Sequence, residues 1–271
     1  MPIDVSIYLS PLGQADFRNL DRKVMRHAFD LHNTLGRFAD ERIYQEEMAI
    51  RCESSGFSVN KEVLVRVSHN GFSKTYDLDL VLENGTIYEF KTVETLNTRH
   101  QRQLIHYLLL TNQNHGKLIN FRPTSVQSRF VSTTLDHHER HQTEWNTSQY
   151  QVRTTKDHDL VERFKSLMKD WGTFLEASLY EEALAHLPHG ANSAPTPVNI
   201  EIKKRIVGTQ NMHLLDDATA WHISAITRYS NSYETHLFRL LQNSNIERMH
   251  WINLNHKTIS LKTLQRGGAS L

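Results

Sequence analysis

The sequence has one cysteine, no long apolar run and almost no net charge, and each shortage excludes a class of protein. Cys52 is the single cysteine among 271 residues, which excludes an intrachain disulfide, a cysteine-ligated cluster and a zinc finger. No stretch approaches the roughly 18 apolar residues that a membrane-spanning helix needs. The first residues also lack the basic and apolar regions of a signal peptide. We therefore expect a cytoplasmic protein without a membrane partner.

The near absence of net charge limits what composition reveals about partners. Lys and Arg number 31 and Asp and Glu number 30, which gives a formal net charge of +1. Any nucleic-acid-binding surface must therefore be local. The 38% hydrophobic and 23% charged residues are those of a soluble globular protein. A chain of 271 residues is long enough for one large domain or two small ones.

Residues 76–94, YDLDLVLENGTIYEFKTVE, have the most informative pattern in the chain. Their alternation of apolar and polar residues predicts a β-hairpin. A three-residue loop at 83–85, with Gly85 left-handed, sets Asp79 directly opposite Glu89 on one face. A two-residue Asn-Gly turn would place these two carboxylates on opposite faces. The longer loop is favoured because it separates most apolar side chains from most charged ones.

The facing carboxylates of Asp79 and Glu89 predict a metal site. They repel each other, and Lys91, two residues along the same strand, offsets only part of that repulsion. Mg²⁺ or Mn²⁺ would offset the rest, because a hard divalent cation takes carboxylate oxygens, keeps several waters and accepts phosphate oxygens. Such an ion polarises a phosphate and activates bound water, which suits phosphodiester hydrolysis. The alternative is a solvated strand face whose opposite charges simply pair.

The surroundings of this hairpin resemble the GxxExxY family of the PD-(D/E)XK nuclease superfamily over about residues 22–135. The matching motifs are, in chain order, Leu35-Gly36, Glu41, Tyr44, Asp79, Glu89-Phe90-Lys91, Glu94, His100, Gln103, Tyr107 and Leu118-Ile119-Asn120-Phe121. Two positions depart from the family pattern: Phe38, where members commonly have a second glycine, and Asp40, where an apolar residue is usual.

The resemblance implies a restriction-endonuclease-like α/β fold, a mixed sheet flanked by helices. It implies a Mg²⁺- or Mn²⁺-dependent nuclease that acts on DNA, with RNA as the alternative substrate, through a metal-bound water. The implied metal ligands are Asp79, Glu89 and Glu41, and the implied catalytic set adds Lys91, Gln103 and Tyr107. The alternative function is a non-catalytic nucleic-acid-binding or assembly protein that keeps nuclease-like residues.

The remaining periodicity predicts the elements around the hairpin. The periodic pattern over residues 21–33 predicts a helix that ends at Gly36. A second helix is predicted over residues 38–54. In the second helix, Ile43 and Ile50 are predicted to face inward together with Tyr44 and Met48. Strands over 57–67 and 117–121 and a helix over 100–110 complete an α, α, β, β, β, α, β order.

The second half of the chain repeats the first in weakened form. Gly172, Glu176 and Tyr180 form a second Gly, Glu, Tyr series, with one additional residue between Glu and Tyr. At an offset of 133 residues the strand motifs also coincide, and the positions of Asp79, Glu89 and Lys91 are taken by Met212, His222 and Ser224. Chance similarity among amphipathic helices and short strands is the alternative interpretation.

Two domains follow from this repeat. Residues 1–150 are predicted to form a nuclease-like domain with an intact site, and residues 151–271 a degenerate copy without the metal site. Residues 189–197 are predicted to be a loop inside that copy. Two like folds in one chain favour a monomer with an intrachain pseudo-twofold pair over a homodimer.

Overall fold

The computed structural model describes residues 2–186 and 194–267, so residues 189–193 of the predicted loop lie outside the described residues. The chain divides into two compact units. The first unit comprises Met1–Ser68 and Ser73–Glu139, and the second comprises His69–Phe72 and Arg140–Leu271. No helix in the described ranges has the length and apolar character needed to cross a membrane.

The first unit is a six-stranded mixed sheet with helices, as the sequence predicts. Its strands are adjacent in the order β1-β2-β3-β4-β5-β6. The β4–β5 pair is parallel, whereas the β1–β2, β3–β4 and β5–β6 pairs are antiparallel. The elements are β1 (Ile3–Val5), α1 (Gln14–Leu35), α2 (Glu41–Ser54), β2 (Val59–His69), β3 (Phe72–Leu82), β4 (Thr86–Lys91), α3 (Thr98–Thr111), β5 (His115–Asn120) and β6 (Gln127–Ser132).

The second unit contains another six-stranded sheet, in the order β7-β12-β11-β10-β9-β8. It begins earlier than residue 150, because β7 pairs with β12. The β10–β11 pair is parallel, and α7 connects its two strands. The elements are α4 (His137–His141), which spans the boundary between the units, β7 (Glu144–Gln149), α5 (Thr155–Trp171), α6 (Ala177–His186), β8 (Thr196–Ile202), β9 (Arg205–Asp216), β10 (Thr219–Ser224), α7 (Ser230–Gln242), β11 (Arg248–Asn255) and β12 (Thr258–Gln265).

Helices α1 and α2 cover one face of the first sheet. Tyr44 of α2 stacks on Phe121 with ring centroids 4.3 Å apart, and its hydroxyl donates to the Gly36 carbonyl at 2.7 Å. The prediction that Ile43 and Ile50 face inward is wrong, since they are 49% and 53% exposed. The buried residues of α2 follow the stripe that continues from Tyr44 by turns of the helix, and these two isoleucines lie outside it.

The β3–β4 hairpin has the predicted register but a different loop conformation. Leu82 lies opposite Thr86, as a three-residue loop requires. The left-handed residues are Glu83 and Asn84, with φ of 51° and 53°, so the prediction of a left-handed Gly85 is wrong. Gly85 is needed for another reason: a Cβ there would overlap the backbone oxygen of Ser10.

Candidate functional site

The site begins where the main-chain pairing of β3 and β4 ends. Leu80 and Tyr88 form the last backbone pair before Asp79 and Glu89. Beyond that pair, the backbone N–H of Phe90 donates to Asp79 Oδ2 at 2.8 Å. The carboxylate of Asp79 thus accepts a strand amide and is fixed beside β4.

Glu89 is at the centre of the site. It is 2% exposed, and its Oε1 accepts from Lys91 Nζ at 2.7 Å and from Gln103 Nε2 at 3.0 Å. Its second oxygen, Oε2, is buried and has no hydrogen-bond partner among the described residues. A buried carboxylate oxygen with no partner is costly, so this oxygen is available for a ligand that the protein itself does not supply.

Helix α3 supports Glu89 from the side. Gln103 donates from the same Nε2 to the Tyr107 hydroxyl at 3.0 Å, so these two residues, one turn apart, form one polar group. The helix begins at a capping box in which the Asn97 side chain accepts from backbone amides and the His100 ring accepts from the Asn97 amide. The cap fixes the start of the helix and thereby the position of Gln103.

Glu41 reaches the site from the first turn of α2. Its Oε2 accepts the Thr92 amide at 3.0 Å, and its Oε1 lies 3.8 Å from Lys91 Nζ. Asn120 fixes the chain just after Lys91, since it accepts from the Val93 amide at 3.0 Å and donates to the Val93 carbonyl at 2.6 Å. These bonds hold Glu41 and Lys91 at the same end of β4.

The surroundings of Asp79 and Glu89 disfavour the ionised form of both carboxyl groups. Burial raises the pKa of Glu89, and the neighbouring charge of Asp79 raises it further. Burial also raises the pKa of Asp79, which the amide of Phe90 and the charge of Lys91 only partly oppose. For Lys91, burial alone would lower the pKa, but the charge of Glu89 and its hydrogen bond leave that pKa raised. The lysine is therefore a fixed cation beside two poorly solvated acids.

Asp79 and Glu89 suit a hard divalent cation, because they offer carboxylate oxygens and the buried Glu89 Oε2 has no other partner among the described residues. The predicted third ligand, Glu41, is not assembled with them. Within residues 2–186 and 194–267, no three His, Cys, Asp or Glu side chains are close enough to hold one ion. Glu41 is instead held by Thr92, and its Oε1 lies 3.8 Å from the ammonium of Lys91.

Sequence reasoning missed two residues of the site. Gln45 hydrogen-bonds the carboxylate of Asp79, and Thr92 binds Glu41 through its amide. The position of Gln45, one turn after Glu41 on α2, was a usable signal. No comparable signal pointed to Thr92, because its shorter bond to Glu41 comes from the backbone amide, at 3.0 Å against 3.5 Å from its hydroxyl.

The residues 133 positions after Asp79, Glu89 and Lys91 have other side chains and other contacts. Met212 is 7% exposed, and the ring Nε2 of His222 lies 2.6 Å from the Tyr233 hydroxyl. The Ser224 hydroxyl donates to Asn253 Oδ1 at 2.8 Å. His222 and Ser224 thus bond other side chains of this unit, and none of the three residues is a carboxylate.

The raised carboxyl pKa values predict an unusual pH dependence of stability. An acid whose pKa is higher in the folded chain binds more protons there, so the free energy of unfolding falls as pH rises from the unfolded values of about 4 through the raised folded values. In chelator, we expect the melting temperature of the wild type to fall between pH 5 and pH 8 relative to a Glu89→Gln variant. Mg²⁺ should narrow this difference, because the cation offsets the carboxylate charge. Parallel slopes for the two proteins in chelator would contradict this prediction.

Comparison with known proteins places a family match over this site. Residues 18–131 match the family model of the PD-(D/E)XK nuclease superfamily. A solved structure described as "Crystal structure of SSO0001" is 18% identical, with a TM-score of 0.28, and the similarity covers 46% of this chain and 80% of that one. No curated protein matches the chain.

Proposed function

We propose that the first unit is a Mg²⁺- or Mn²⁺-dependent nuclease that hydrolyses phosphodiester bonds of DNA, with RNA as the alternative substrate. The observation that carries this proposal is the buried Glu89 and half-buried Asp79 beside Lys91, with Glu89 Oε2 unpartnered, inside the range that matches a nuclease superfamily. Gly36, Glu41 and Tyr44 match the Gly, Glu and Tyr of the GxxExxY family and support placement in it, with Phe38 standing where members commonly have a second glycine.

Each side chain has a role that follows from its contacts. Asp79 and Glu89 would hold the cation, which when bound supplies a Lewis acid for the phosphate and an activated water. Gln103 orients Glu89 so that its second oxygen stays free for the metal. Glu89 keeps Lys91 in its ammonium form. Lys91 donates hydrogen bonds to the phosphate and the attacking water and places its positive charge beside them. Its raised pKa makes it unsuitable as a general base at neutral pH.

Glu41 acts at a distance from the metal in this proposal. It is bonded to the Thr92 amide and lies 3.8 Å from Lys91 Nζ. We assign it the role of holding the ammonium between two carboxylates, which keeps Lys91 charged and directed into the site.

A hydrolysis assay tests the proposal. The purified full chain is incubated with single-stranded, duplex and branched DNA and with RNA, in Mg²⁺, Mn²⁺ or EDTA. Cleavage that requires a divalent cation is the expected result. Tight binding without cleavage of any substrate would favour the non-catalytic nucleic-acid-binding alternative.

We also propose that the second unit is a degenerate copy of the first. In both units a tyrosine hydroxyl donates to the carbonyl of a left-handed glycine eight residues earlier: Tyr44 to Gly36 and Tyr180 to Gly172. Helices α2 and α6 each begin five residues after that glycine. This common spacing places Ala177, rather than Glu176, at the position of Glu41.

A second shared bond pattern supports the duplication. Asn120 bonds both the amide and the carbonyl of Val93, and Asn253 bonds both the amide and the carbonyl of Ile226, each across 27 residues. The parallel strand pairs also share their register, since Lys91 lies opposite Asn120 and Ser224 opposite Asn253. A copy with this framework but without the carboxylates is expected to bind no metal.

The paired asparagines give a matched stability prediction. Each is nearly or fully buried, at 0% exposure for Asn120 and 4% for Asn253. Asn120→Ala and Asn253→Ala should each lower the free energy of unfolding by about 1 to 3 kcal/mol, because two partly buried backbone groups lose their partners. Urea denaturation measures both changes. A loss of stability in Asn120→Ala with none in Asn253→Ala would mean that the hydrogen bonds of the two asparagines are not equivalent.

A further inference from the structure

An exposed aromatic ring lies in the connection between α1 and α2. Phe38 is 73% exposed, so it contributes little to the core. Two guanidinium groups lie over its ring, with Cζ of Arg37 4.8 Å and Cζ of Arg122 5.8 Å from the centroid. Cation–π contacts of this length restrict the motion of the ring and keep positive charge beside it.

A short series of hydrogen bonds connects this ring to the candidate site. Arg122 donates from Nε to the Thr92 carbonyl at 3.3 Å. The Thr92 amide donates to Glu41, whose other oxygen lies 3.8 Å from Lys91 Nζ. The aromatic ring and its arginines therefore stand beside the end of the site that holds the lysine.

The two arginines have charge to offer a ligand. In the described part of the chain, neither Arg37 nor Arg122 forms a salt bridge with a carboxylate. The neighbouring carboxylate Glu41 is directed to Thr92 and Lys91 instead. A phosphate group beside Phe38 would therefore meet two uncompensated guanidinium groups, which bind phosphate with planar, paired donors.

We propose that Phe38, flanked by Arg37 and Arg122, is a stacking platform for an unpaired base of the substrate strand next to the scissile phosphate. An exposed ring stacks on a base face, and nearby arginines neutralise the backbone, which is how single strands are bound without sequence preference. Bases inside an intact duplex do not present their faces to such a ring. The substrate class is therefore a nucleic acid with a single-stranded segment at the cleavage point.

This inference rests on the proposed nuclease function but depends on a residue outside the metal site. Phe38 is one of the two departures from the GxxExxY motif, so the platform is a property of this chain. Because the ring is exposed, its replacement should leave the midpoint of urea unfolding unchanged. Phe38 is a substrate-positioning residue rather than a catalytic one.

Binding of labelled oligonucleotides in EDTA tests the platform without any cleavage. Fluorescence anisotropy is measured for the full chain with a single strand, a fully paired blunt duplex, and a duplex with an overhang. Phe38→Leu keeps an apolar side chain but removes the ring, Phe38→Trp keeps a ring, and Tyr8→Leu removes another aromatic that is 80% exposed. A 2-aminopurine placed in the single strand reports stacking directly through loss of its fluorescence.

We expect Phe38→Leu to bind the single strand and the duplex with an overhang about 5- to 100-fold more weakly than the wild type does. It should bind the fully paired blunt duplex within about twofold of the wild type. Phe38→Trp and Tyr8→Leu should bind as the wild type does, and only Phe38→Leu should abolish the 2-aminopurine quenching. Equal binding of the single strand by wild type and Phe38→Leu, equal losses on all three ligands, or no binding by the wild type would each overturn the platform. If one of these results overturns the platform but Phe38→Leu still cleaves in a metal-dependent manner, the nuclease proposal remains intact.

Discussion

Replacing Glu89 with glutamine is expected to lower metal-dependent cleavage by at least about 100-fold while leaving the fold intact. The amide has the same shape and keeps an oxygen for Lys91 and Gln103, but it is a poor ligand for a hard cation. In chelator the variant should be no less stable than the wild type, because a buried carboxylate with a raised pKa has been replaced by a neutral group. Single-turnover cleavage and thermal unfolding measure the two effects separately.

Two companion variants define the specificity of this result. Lys91→Ala should slow cleavage while sparing metal binding, since it removes a donor rather than a ligand. Asp77→Asn changes an exposed carboxylate on the same strand as Asp79 and should cleave as the wild type does. Unchanged cleavage by purified Glu89→Gln, with contaminating nuclease excluded by an identically purified control, would remove the proposed site.

Replacing Asp157 with alanine should destabilise the second unit by about 3 to 5 kcal/mol, because it leaves a buried arginine without its counter-ion. Asp157 is 0% exposed. It accepts from Arg248 at 3.1 Å and from His250 at 2.9 Å, and its Oδ2 also accepts the amides of Arg153 and Thr154 at 2.8 and 2.9 Å. Burial alone would raise the pKa of this carboxyl, but these hydrogen bonds hold that pKa well below its usual range.

Urea denaturation of the full chain measures the loss. Asp159→Ala provides the matched control, because Asp159 lies two residues further along α5 and its side chain is 54% exposed. The control should change the free energy of unfolding by no more than about 0.5 kcal/mol. A loss below about 1 kcal/mol for Asp157→Ala would contradict the role given to this buried carboxylate.

The hairpin register was predictable because one alignment of residues 76–94 sorts charge from apolar surface. Alternation along the two strands is enough to set Asp79 beside Glu89 on the charged face. The conformation of Gly85 was not predictable in the same way, because the reason for glycine there is the backbone of Ser10, a residue distant in sequence. Periodicity alone cannot reveal such a close approach.

Helix α2 shows that the hydrophobicity of individual residues does not decide which face of a helix is buried. Ile43 and Ile50 are exposed, whereas Ala49 and Cys52 are buried. Side-chain hydrophobicity favoured the isoleucines, but the helix is oriented by Tyr44, which both stacks on Phe121 and bonds Gly36. Tertiary contacts of one large residue decide which stripe faces the core.

The candidate site also contains some features that the sequence predicts and others that it does not. Side chains that alternate on one strand or repeat by one helical turn, such as Glu89 with Lys91 and Gln103 with Tyr107, are visible in sequence. The hydrogen bond that takes Glu41 to the Thr92 amide is not, because a backbone donor has no sequence signature. For this reason the family motif predicts Glu41 as a third metal ligand, whereas the structure holds its carboxylate at Thr92 and beside Lys91.

Calorimetric titration of the full chain with Mn²⁺, in two buffers of different ionisation enthalpy, tests the cation site at Asp79 and Glu89. We predict one binding event that releases protons, because a cation between Asp79 and Glu89 displaces protons from carboxyl groups whose pKa values burial has raised. The Asp79→Asn, Glu89→Gln double variant should bind no Mn²⁺ at this site and release no protons. Equal Mn²⁺ binding by the wild type and the double variant, or no binding by either, would contradict a metal site here.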